Sequence, residues 1–489
     1  MFPSSAMGLP ASLKFDLPPS MSESSRSYSV NVAPDGITKV DGPIDIISFT
    51  ANAAVQKPFT SQMVSFTIPS GMSDSVFLDP VKTTLSFTLL YTVGTASSVT
   101  NGACQMLSSA SSWIDQLVVV SNNTPIETIN NYGLLQNFML QNTVNQSERN
   151  GGISVAMGAD SGSASGIELA HATTGTYRYN FCIPLMSVIG VNTDNKLFPI
   201  GSVNNLQLQM TTAALTPIIA YATAVTTNVV LSAVSLSEFR LNMQYVDVGD
   251  AAAQMLRSTL QDGKWYLKST TYTNSSVNIP SGSSGSQQLL LQIRNSSVKS
   301  CIHQFGASNA VTAQSLVTPN GYYDAINPGL SQRQLQVGGA FYPNLTLNDC
   351  QRPAEAYPYL IQSLGGGIAK SLGTVITREM YNTIAGIAAV PASSDNTLVL
   401  PATVSRAAPT GSDGGAVSVL KYPSSAFYGY DLEKSSGVLF QGINTRASPP
   451  FLNLFLQSAT TTSLICQAWG ISDVVLVFDT VAKQIQAFI

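Results

Sequence analysis

The sequence has few ionisable side chains for its length. Asp, Glu, Lys and Arg make up 10% of its 489 residues, whereas they usually account for about 25% of a soluble protein. The 27 acidic and 23 basic residues leave a net charge of −4. The basic residues form no patch along the chain, which argues against direct contact with nucleic acid. Because so neutral a surface gives little repulsion between copies, we expect the chain either to lie in a membrane or to bury much surface against other protein copies.

The sequence also lacks an apolar run long enough to cross a membrane as a helix. Residues 197–237 carry no charge, but Pro217, Asn228 and several threonines interrupt them. No stretch of about 18 apolar residues therefore remains. Residues 1–20 lack a basic start followed by an apolar segment, so we expect no secretory signal. Burial against other protein copies is the better explanation of the composition.

Histidine and cysteine, which supply most metal ligands, are scarce. We expect the two histidines, His171 and His303, in a loop and in a packed strand respectively. No Cys/His cluster has the spacing of a zinc site. The absence of CxxC pairs is typical of core cysteines in a protein made in a reducing compartment. The five cysteines are Cys104, Cys182, Cys301, Cys350 and Cys466.

Motifs for catalysis or phosphate binding are missing or incomplete. GGGIAKS, at 365–371, lacks the glycine that a phosphate-binding loop needs directly before its lysine, because Ala369 precedes Lys370. There is no GxSxG motif, and acidic residues are too scattered to single out a glycosidase pair. A Ser-His-Asp triad stays open, since its members meet only in space. We predict no enzyme activity, no catalytic, cofactor-binding or metal-binding residues, and no cofactor.

The chain does contain many short apolar runs separated by Gly, Pro, Asn and Ser. This pattern begins near residue 45 and is typical of an all-β sandwich or barrel. Residues 1–45 are rich in Ser and Pro and have no periodicity. They predict an extended N-terminal arm.

Residues 113–140, WIDQLVVVSNNTPIETINNYGLLQNFML, change period within one segment. Residues 114–120 predict a strand covered on both faces, and residues 121–123 predict a turn. Residues 124–127, Thr-Pro-Ile-Glu, form a capping box, which predicts that a helix begins there. Apolar residues at helical spacing would give that helix one buried face; they are Ile129, Tyr132, Leu135 and Met139.

The chain also repeats itself in order, which indicates a tandem duplication. IPSG at 68–71 returns at 279–282, and Val81-Lys82 returns as Val298-Lys299. Three longer matches follow, each between a segment of the first half and one of the second. They pair 117–125 with 335–343, 197–210 with 439–456, and 233–243 with 468–478.

We therefore predict an all-β fold of two tandem jelly-roll β-sandwiches, a double jelly roll, with short inserted helices. Helix formers ending in Gly at 250–263 predict the connector between the two. The predicted domains are an extended arm at 1–45, a first jelly roll at 46–249, a connector at 250–263 and a second jelly roll at 264–489.

Three segments resemble the double jelly-roll major capsid proteins of icosahedral DNA viruses, above all those of polinton-like viruses, virophages and their large-DNA-virus relatives. Residues 113–132 contain W-I-D-x-L-x-V, a turn, and I-E-x-x-x-x-Y. Residues 181–210 are similar to the IPL and LPL run late in the family's first jelly roll, and VKSCIHQF at 298–305 to the opening of its second. The chain departs from the family where Ser121-Asn122-Asn123 replaces a Gly-Gly turn.

The resemblance implies a structural protein of the virion. Three chains would form a homotrimeric, pseudo-hexameric capsomer, and capsomers would tile an icosahedral shell. The insertions at 141–178 and 377–420 would form towers outside. The arm would tie trimers together or reach an internal membrane or a minor protein. Implied partners are neighbouring capsomers and penton and minor capsid proteins, with no direct nucleic acid, and synthesis in the host cytoplasm or nucleus.

A second hypothesis is a β-sandwich adhesin or a receptor- or glycan-binding surface protein. It predicts exposed clusters of Trp, Tyr and Asp or Asn at loop tips. The chain has three tryptophans: Trp113 and Trp469 fall in predicted strands, and Trp265 opens the second half. The hypothesis would also favour a secretion signal, for which residues 1–20 give no pattern.

Overall fold

The structure is a computed structural model, and we describe the parts of the chain whose placement it defines. These are residues 26–34, 44–47, 62–93, 104–158, 165–168, 175–193, 196–213, 219–221, 231–258, 260, 262–307, 314–315, 323, 325–350, 352–365, 376, 381, 383–384, 398–399, 405–406, 417–418, 426–434 and 440–489.

The first half of the chain folds into two packed antiparallel sheets. One sheet has the spatial order β1 (Arg26–Val32), β12 (Leu231–Asp247), β4 (Val76–Val93) and β9 (Gly175–Pro184), and β2 (Ile44–Ile47) also pairs with β12. The other has the order β3 (Met63–Ile68), β10 (Leu206–Thr212), β6 (Ile114–Ser121) and β7 (Thr124–Asn130). Numbered along the chain, the eight main strands lie in the orders 1-8-3-6 and 2-7-4-5, and two such facing sheets form a jelly roll.

The second half repeats this topology. Its first sheet has the order β13 (Lys264–Ile279), β25 (Leu464–Asp479), β15 (Val298–Ala307) and β23 (Phe427–Asp431), and β26 (Gln484–Phe488) also pairs with β25. Its second sheet has the order β14 (Gly285–Leu290), β24 (Phe451–Leu456), β17 (Leu330–Val337) and β18 (Ala340–Leu347). The orders are again 1-8-3-6 and 2-7-4-5, so the predicted double jelly roll is confirmed.

Shorter elements decorate the two sandwiches. A small sheet has the order β16 (Gln314–Ser315), β11 (Ile219–Tyr221), β5 (Cys104–Leu107) and β8 (Ser165–Glu168), and so joins strands of both halves. Two further pairs are β19 (Thr383–Ile384) with β20 (Leu398–Val399), and β21 (Ser405–Arg406) with β22 (Val417–Ser418). The α-helices are α1 (Tyr132–Thr143), α2 (Gln146–Glu148), α3 (Ser154–Met157), α4 (Asp250–Ser258) and α5 (Pro353–Ser363). Three 3₁₀ turns (Ala110–Trp113, Val191–Thr193, Ile200–Ser202) and a π turn (Arg149–Ile153) complete the described elements.

The N-terminal arm is shorter than the sequence predicts. The prediction assigns residues 1–45 to the arm, but Arg26–Val32 forms β1 and pairs with β12 over seven residues. The alternation of Tyr28, Val30 and Val32 with small polar residues is typical of an antiparallel strand with one face exposed. Residues 1–25 lie outside the described residues. Helix α4 lies between β12 and β13, within the predicted connector, while the other domain boundaries stay predictions.

The prediction that a helix begins at Thr124 is wrong. Asn122 and Asn123 have φ of 48° and 62°, as the two central residues of a type I′ hairpin turn require. The turn pairs Ser121 with Thr124, and the chain continues as β7. The helix begins only at Tyr132. A two-residue turn favoured by Asn thus outweighs a local capping box.

The sheet orders test the sequence repeat. Strands β12 and β25 hold equivalent positions, as do β10 and β24, so the last two matches fall on equivalent strands. The IPSG match is wrong, because 68–71 follows the second strand of its sandwich and 279–282 follows the first. The match of 117–125 with 335–343 is two residues out of register, because the equivalent turns of the two hairpins are 122–123 and 338–339.

One apolar cluster fills the first jelly roll and extends onto the second. It includes Trp265, Trp469 and Leu476 from β13 and β25. A separate cluster, which includes Cys466 and Ala468, fills the second jelly roll. Strand β25 contributes to both clusters and its residues 466–478 are all buried, so this strand is covered on both faces. Among the described residues, no helix is both long and apolar enough to cross a membrane.

Candidate assembly interface

The two jelly rolls meet at an apolar surface that we call the internal seam. It lies between β4, β7, α1 and residues 185–193 and 196–203 of the first jelly roll and β13, β23 and β25 of the second. Aromatic pairs cross it, with ring centroids 6.2 Å apart for Phe77 and Trp265 and 4.9 Å apart for Phe198 and Phe478. Such large buried side chains contribute most of the stabilisation at an interface.

Helix α1 adds a second aromatic contact to the internal seam. The ring of Phe138 lies 4.7 Å from that of Phe427 on β23 and 6.2 Å from that of Trp469 on β25. All three side chains are buried. The predicted apolar face is confirmed only for Tyr132 and Leu135, because Ile129 lies on β7 and Met139 is partly buried. Phe138, which is not among the predicted residues, makes the contact with the second jelly roll.

Glu127 is a buried carboxyl group at the centre of the internal seam. Its Oε1 accepts a hydrogen bond from Thr271 Oγ1 of the second jelly roll at 2.9 Å, and its Oε2 accepts from the Val188 amide at 2.9 Å and from the Ser187 hydroxyl. None of the ion pairs among the described residues includes it. Burial raises the pKa of Glu127 to about 7, although the three hydrogen bonds oppose this shift. The seam thus contains one group that titrates near neutral pH.

Further hydrogen bonds fix the orientation of the two jelly rolls. Asn131 Nδ2 donates to Asn274 Oδ1 at 3.1 Å, and Ser269 Oγ donates to the carbonyl oxygen of Asn192 at 2.9 Å. At another point, Asn137 Nδ2 donates to the Tyr323 carbonyl oxygen at 3.1 Å. Directional bonds of this kind add specificity to an apolar contact.

The corresponding sheet of the first jelly roll presents a polar surface instead. On it, Thr88 Oγ1 lies 2.8 Å from Asn180 Oδ1 and 2.9 Å from Glu238 Oε2, so that its one hydrogen is shared between the two acceptors, and Arg178 forms an ion pair with Glu238. The Arg178 and Glu238 side chains are 52% and 47% exposed. Equivalent sheets of the two jelly rolls therefore differ: one is covered within the chain, and the other faces outward.

Two edge strands remain uncovered in the single chain. Strand β18 holds the position in the second jelly roll that β7 holds in the first, and β1 holds the position of β13. Five of the eight residues of β18 are exposed, including Phe341 at 41% and Leu345 at 67%. Five of the seven residues of β1 are exposed, including Tyr28 at 40%. Strands β7 and β13 meet in the internal seam, whereas their equivalents β18 and β1 are both exposed in the single chain.

Arg333 and Asp349 form a buried ion pair that holds a helix in place. Arg333 and Asp349 are fully buried, with Arg333 Nε 2.6 Å from Asp349 Oδ2. The guanidinium lies 5.0 Å and 5.3 Å from the ring centres of Tyr428 and Tyr430, and Arg333 also donates to the Ala356 carbonyl oxygen on α5. Although burial lowers it, Asp349 holds the pKa of Arg333 well above its usual value. The cluster fixes α5 against the second jelly roll.

His303 is a packed core residue. His303 lies on β15, as predicted, and is fully buried, with its ring parallel to that of Tyr430 at a centroid distance of 5.6 Å. Burial and the nearby Arg333 hold the pKa of His303 well below its usual value, so the ring stays neutral. His171 and most of GGGIAKS lie outside the described residues. Among the residues that are described, no group of three or more His, Cys, Asp or Glu is placed to hold a metal ion.

Comparisons with known proteins agree with the strand orders. No protein-family model and no curated protein matches the sequence. A quasi-atomic model of the PBCV-1 virus capsid matches 95% of this chain and 96% of its own chain, with a TM-score of 0.53 and 12% identity. The Faustovirus major capsid protein matches 93% of this chain and 90% of its own, with a TM-score of 0.50 and 9% identity. The chain therefore has the double jelly-roll fold that these viral capsid structures have.

Proposed function

We propose that this chain is the major capsid protein of an icosahedral DNA virus and has a structural, not an enzymatic, role in the virion. Three chains would form a homotrimeric, pseudo-hexameric capsomer, and capsomers would tile the shell. The internal seam supports this proposal most directly. Two jelly rolls of identical strand order pack side by side in one chain, and β18 and β1, the equivalents of the strands β7 and β13 that meet in the seam, stay exposed.

A repeated heterologous contact of this kind can close into a ring. With two jelly rolls in each chain, three chains would supply six similar units, and a three-fold particle could then occupy a site with six neighbours. The low charge of the chain supports the proposal, because 10% ionisable residues is compatible with burial against partners on several sides. Neighbouring capsomers, penton proteins and minor capsid proteins would be the partners, without direct contact with nucleic acid.

Residues 1–25 would tie capsomers together or reach an internal membrane or a minor protein on the inner face of the shell. The insertions within 141–178 and 377–420 would lie outside. The chain would be synthesised in the host cytoplasm or nucleus. Truncation of residues 1–25 should leave capsomer formation intact and impair shell assembly, which particle counts by electron microscopy would measure.

The adhesin hypothesis is less well supported. It requires aromatic side chains at exposed loop tips, but Trp113, Trp265 and Trp469 are 1%, 4% and 0% exposed. Each packs in a sandwich or in the internal seam.

The direct test is the native mass of the purified chain. We expect a species of three chains, about 155 kDa from 51.6 kDa each, with a hexagonal outline in negative stain. A single chain of 51.6 kDa that forms no shells under any assembly condition, and that binds glycans in an array, would contradict the capsid proposal in favour of the adhesin.

A further inference from the structure

We infer that residues 1–25 dock on their own chain, at the end of the molecule where β1 begins. The surface that they would cover consists of the turns 69–75 and 480–483 and helix α4, and we call it the end surface. The inference goes beyond the capsid proposal and does not depend on it, because it concerns a single chain.

Short contacts join the parts of the end surface. Arg257 on α4 forms an ion pair with Asp74 of the first turn. The Asn204 amide donates to the carbonyl oxygen of Lys483 in the second turn at 3.1 Å. The Asn204 side chain also lies against Gly71 of the first turn. The two turns and the helix therefore form one continuous surface.

Apolar side chains are exposed on each part of the end surface. Met72 in the first turn is 41% exposed, Met255 on α4 is 54% exposed, and Val481 in the second turn is 88% exposed. Turns usually carry Gly, Pro, Asn, Asp or Ser instead. Adjoining exposed apolar side chains, unlike single ones, indicate a surface that binds a partner.

Residues 1–25 enter the fold beside this surface. Strand β1 begins at Arg26, which pairs with Asp247 at the end of β12, and α4 begins soon after, at Asp250. A fully extended segment of 25 residues reaches up to about 80 Å, whereas α4 is only about 14 Å long. The segment is therefore long enough to cover the helix and both turns.

The composition of the segment matches an apolar surface. Only three of its 25 residues are charged, namely Lys14, Asp16 and Glu23. Its large apolar residues are Met1, Phe2, Met7, Leu9, Leu13, Phe15, Leu17 and Met21. Docking would take these side chains out of water together with Met72, Met255 and Val481.

The covalent connection favours the chain's own segment over any other occupant. A short connection holds a segment near its site at an effective concentration of roughly millimolar, which other chains in dilute solution do not reach. In assembly, residues 1–25 would then have to leave the end surface before they could tie capsomers together.

Oxidation of methionine by hydrogen peroxide tests the inference, with each methionine followed by mass spectrometry. The comparison is between the full chain and a chain that starts at Arg26 and so keeps β1, both at concentrations at which native mass shows single chains. In the full chain, Met72 and Met255 should oxidise about tenfold more slowly, because docking worth about 1.4 kcal/mol leaves the surface free about a tenth of the time. Met63, 47% exposed on β3 and outside the end surface, is the internal control and should oxidise equally in both.

A substitution in the end surface gives a second test, which also serves if the shortened chain does not fold. Val481→Asp places a carboxylate where the apolar segment would lie, and burying that charge is unfavourable. We expect it to speed the oxidation of Met72 and Met255 in the full chain. Val155→Asp is the matched control, because Val155 is 84% exposed on α3, and it should leave both rates unchanged.

Equal oxidation of Met72 and Met255 in the full and shortened chains would overturn the inference. Protection that appears only in the three-chain species would also overturn it, in favour of docking on a neighbouring chain. Protection that appears only with vesicles of phosphatidylcholine and phosphatidylserine would do so in favour of a membrane surface. A wild type that forms three-chain species with both methionines unprotected would leave the capsid proposal standing.

Discussion

At the residue scale, Glu127 makes the internal seam sensitive to pH. Its pKa rises from 4.5 to about 7 on folding, so between these values the unfolded chain has lost the proton that the folded chain keeps. The stabilisation that Glu127 contributes is therefore present below pH 4.5 and is lost as the pH rises to 7. For a shift of this size it amounts to about 3 kcal/mol.

Glu127→Gln should remove this dependence, because the amide has a similar shape and does not titrate. We expect the unfolding free energy of wild type, measured relative to Glu127→Gln, to fall by about 3 kcal/mol between pH 4.5 and 7. Denaturant unfolding of both proteins at the two pH values measures it. Parallel pH profiles would show that Glu127 keeps its ordinary pKa.

His303 makes the stability of the fold depend on pH in the opposite direction. Burial and Arg333 lower its pKa in the folded chain, so on acidification the unfolded chain takes up a proton first and stability is lost as the pH falls below about 6.5. Neither ring nitrogen has a hydrogen-bond partner among the described residues. We expect His303→Phe to melt at or above the wild-type temperature at pH 7 and to resist acid better at pH 5. A lower melting temperature at both pH values would contradict this.

At the scale of elements, the sequence predicts strands better than their boundaries with helices. The apolar runs, together with the repeat matches that fall on equivalent strands, indicate two sandwiches, because alternate burial imposes a period of two on many of the strands. The IPSG match gives no such support, because its two copies follow non-equivalent strands. The start of α1 is not predictable from a capping box alone. Its position depends on whether Asn122 and Asn123 adopt positive φ, and pairing with β6 stabilises that conformation.

The internal seam could not be predicted for a similar reason. Trp265, Leu476 and Phe478 look like ordinary core residues in the sequence, yet they form the outer face of a sheet. A sheet covered on both faces gives a continuous apolar strand, such as β25, whose residues are nearly all buried. The sequence of such a strand does not say which of its faces meets another sandwich.

Strand β6 gives a direct test of the core assignment. Leu117 and Val119 are fully buried between the sheets of the first jelly roll. Leu117→Asp or Val119→Asp would place a charge there without a partner, at a cost of several kcal/mol, so we expect no soluble folded protein. Val155→Asp should express and melt like wild type, because Val155 is 84% exposed. Comparison of soluble yield and melting temperature checks this, and a reversed order would overturn the assignment.

At the scale of the whole molecule, the chain has one apolar contact between its jelly rolls, the internal seam, and two exposed edge strands, β18 and β1. The contact within the chain contains Trp265, Phe138 and Phe478, whereas the corresponding sheet of the first jelly roll is covered by polar side chains such as Thr88 and Asn180. The contact between chains would therefore contain more polar groups and water than the internal seam. Chains should separate under milder conditions than those that separate the two jelly rolls.

The extent of the apolar cluster predicts how the molecule unfolds. Since one apolar cluster spans the first jelly roll and the covered face of the second, the two jelly rolls should unfold in a single transition. Trp265→Ala should lower the unfolding free energy by about 3 to 5 kcal/mol while keeping one transition, because Trp265 is 4% exposed in the seam. Leu345→Ala should leave single-chain unfolding within about 0.5 kcal/mol of wild type and change only the dependence of native mass on concentration. Calorimetry at low protein concentration would count the unfolding transitions of wild type and of each variant. Two transitions in wild type would contradict the prediction, because they would mean that each jelly roll is stable without the internal seam.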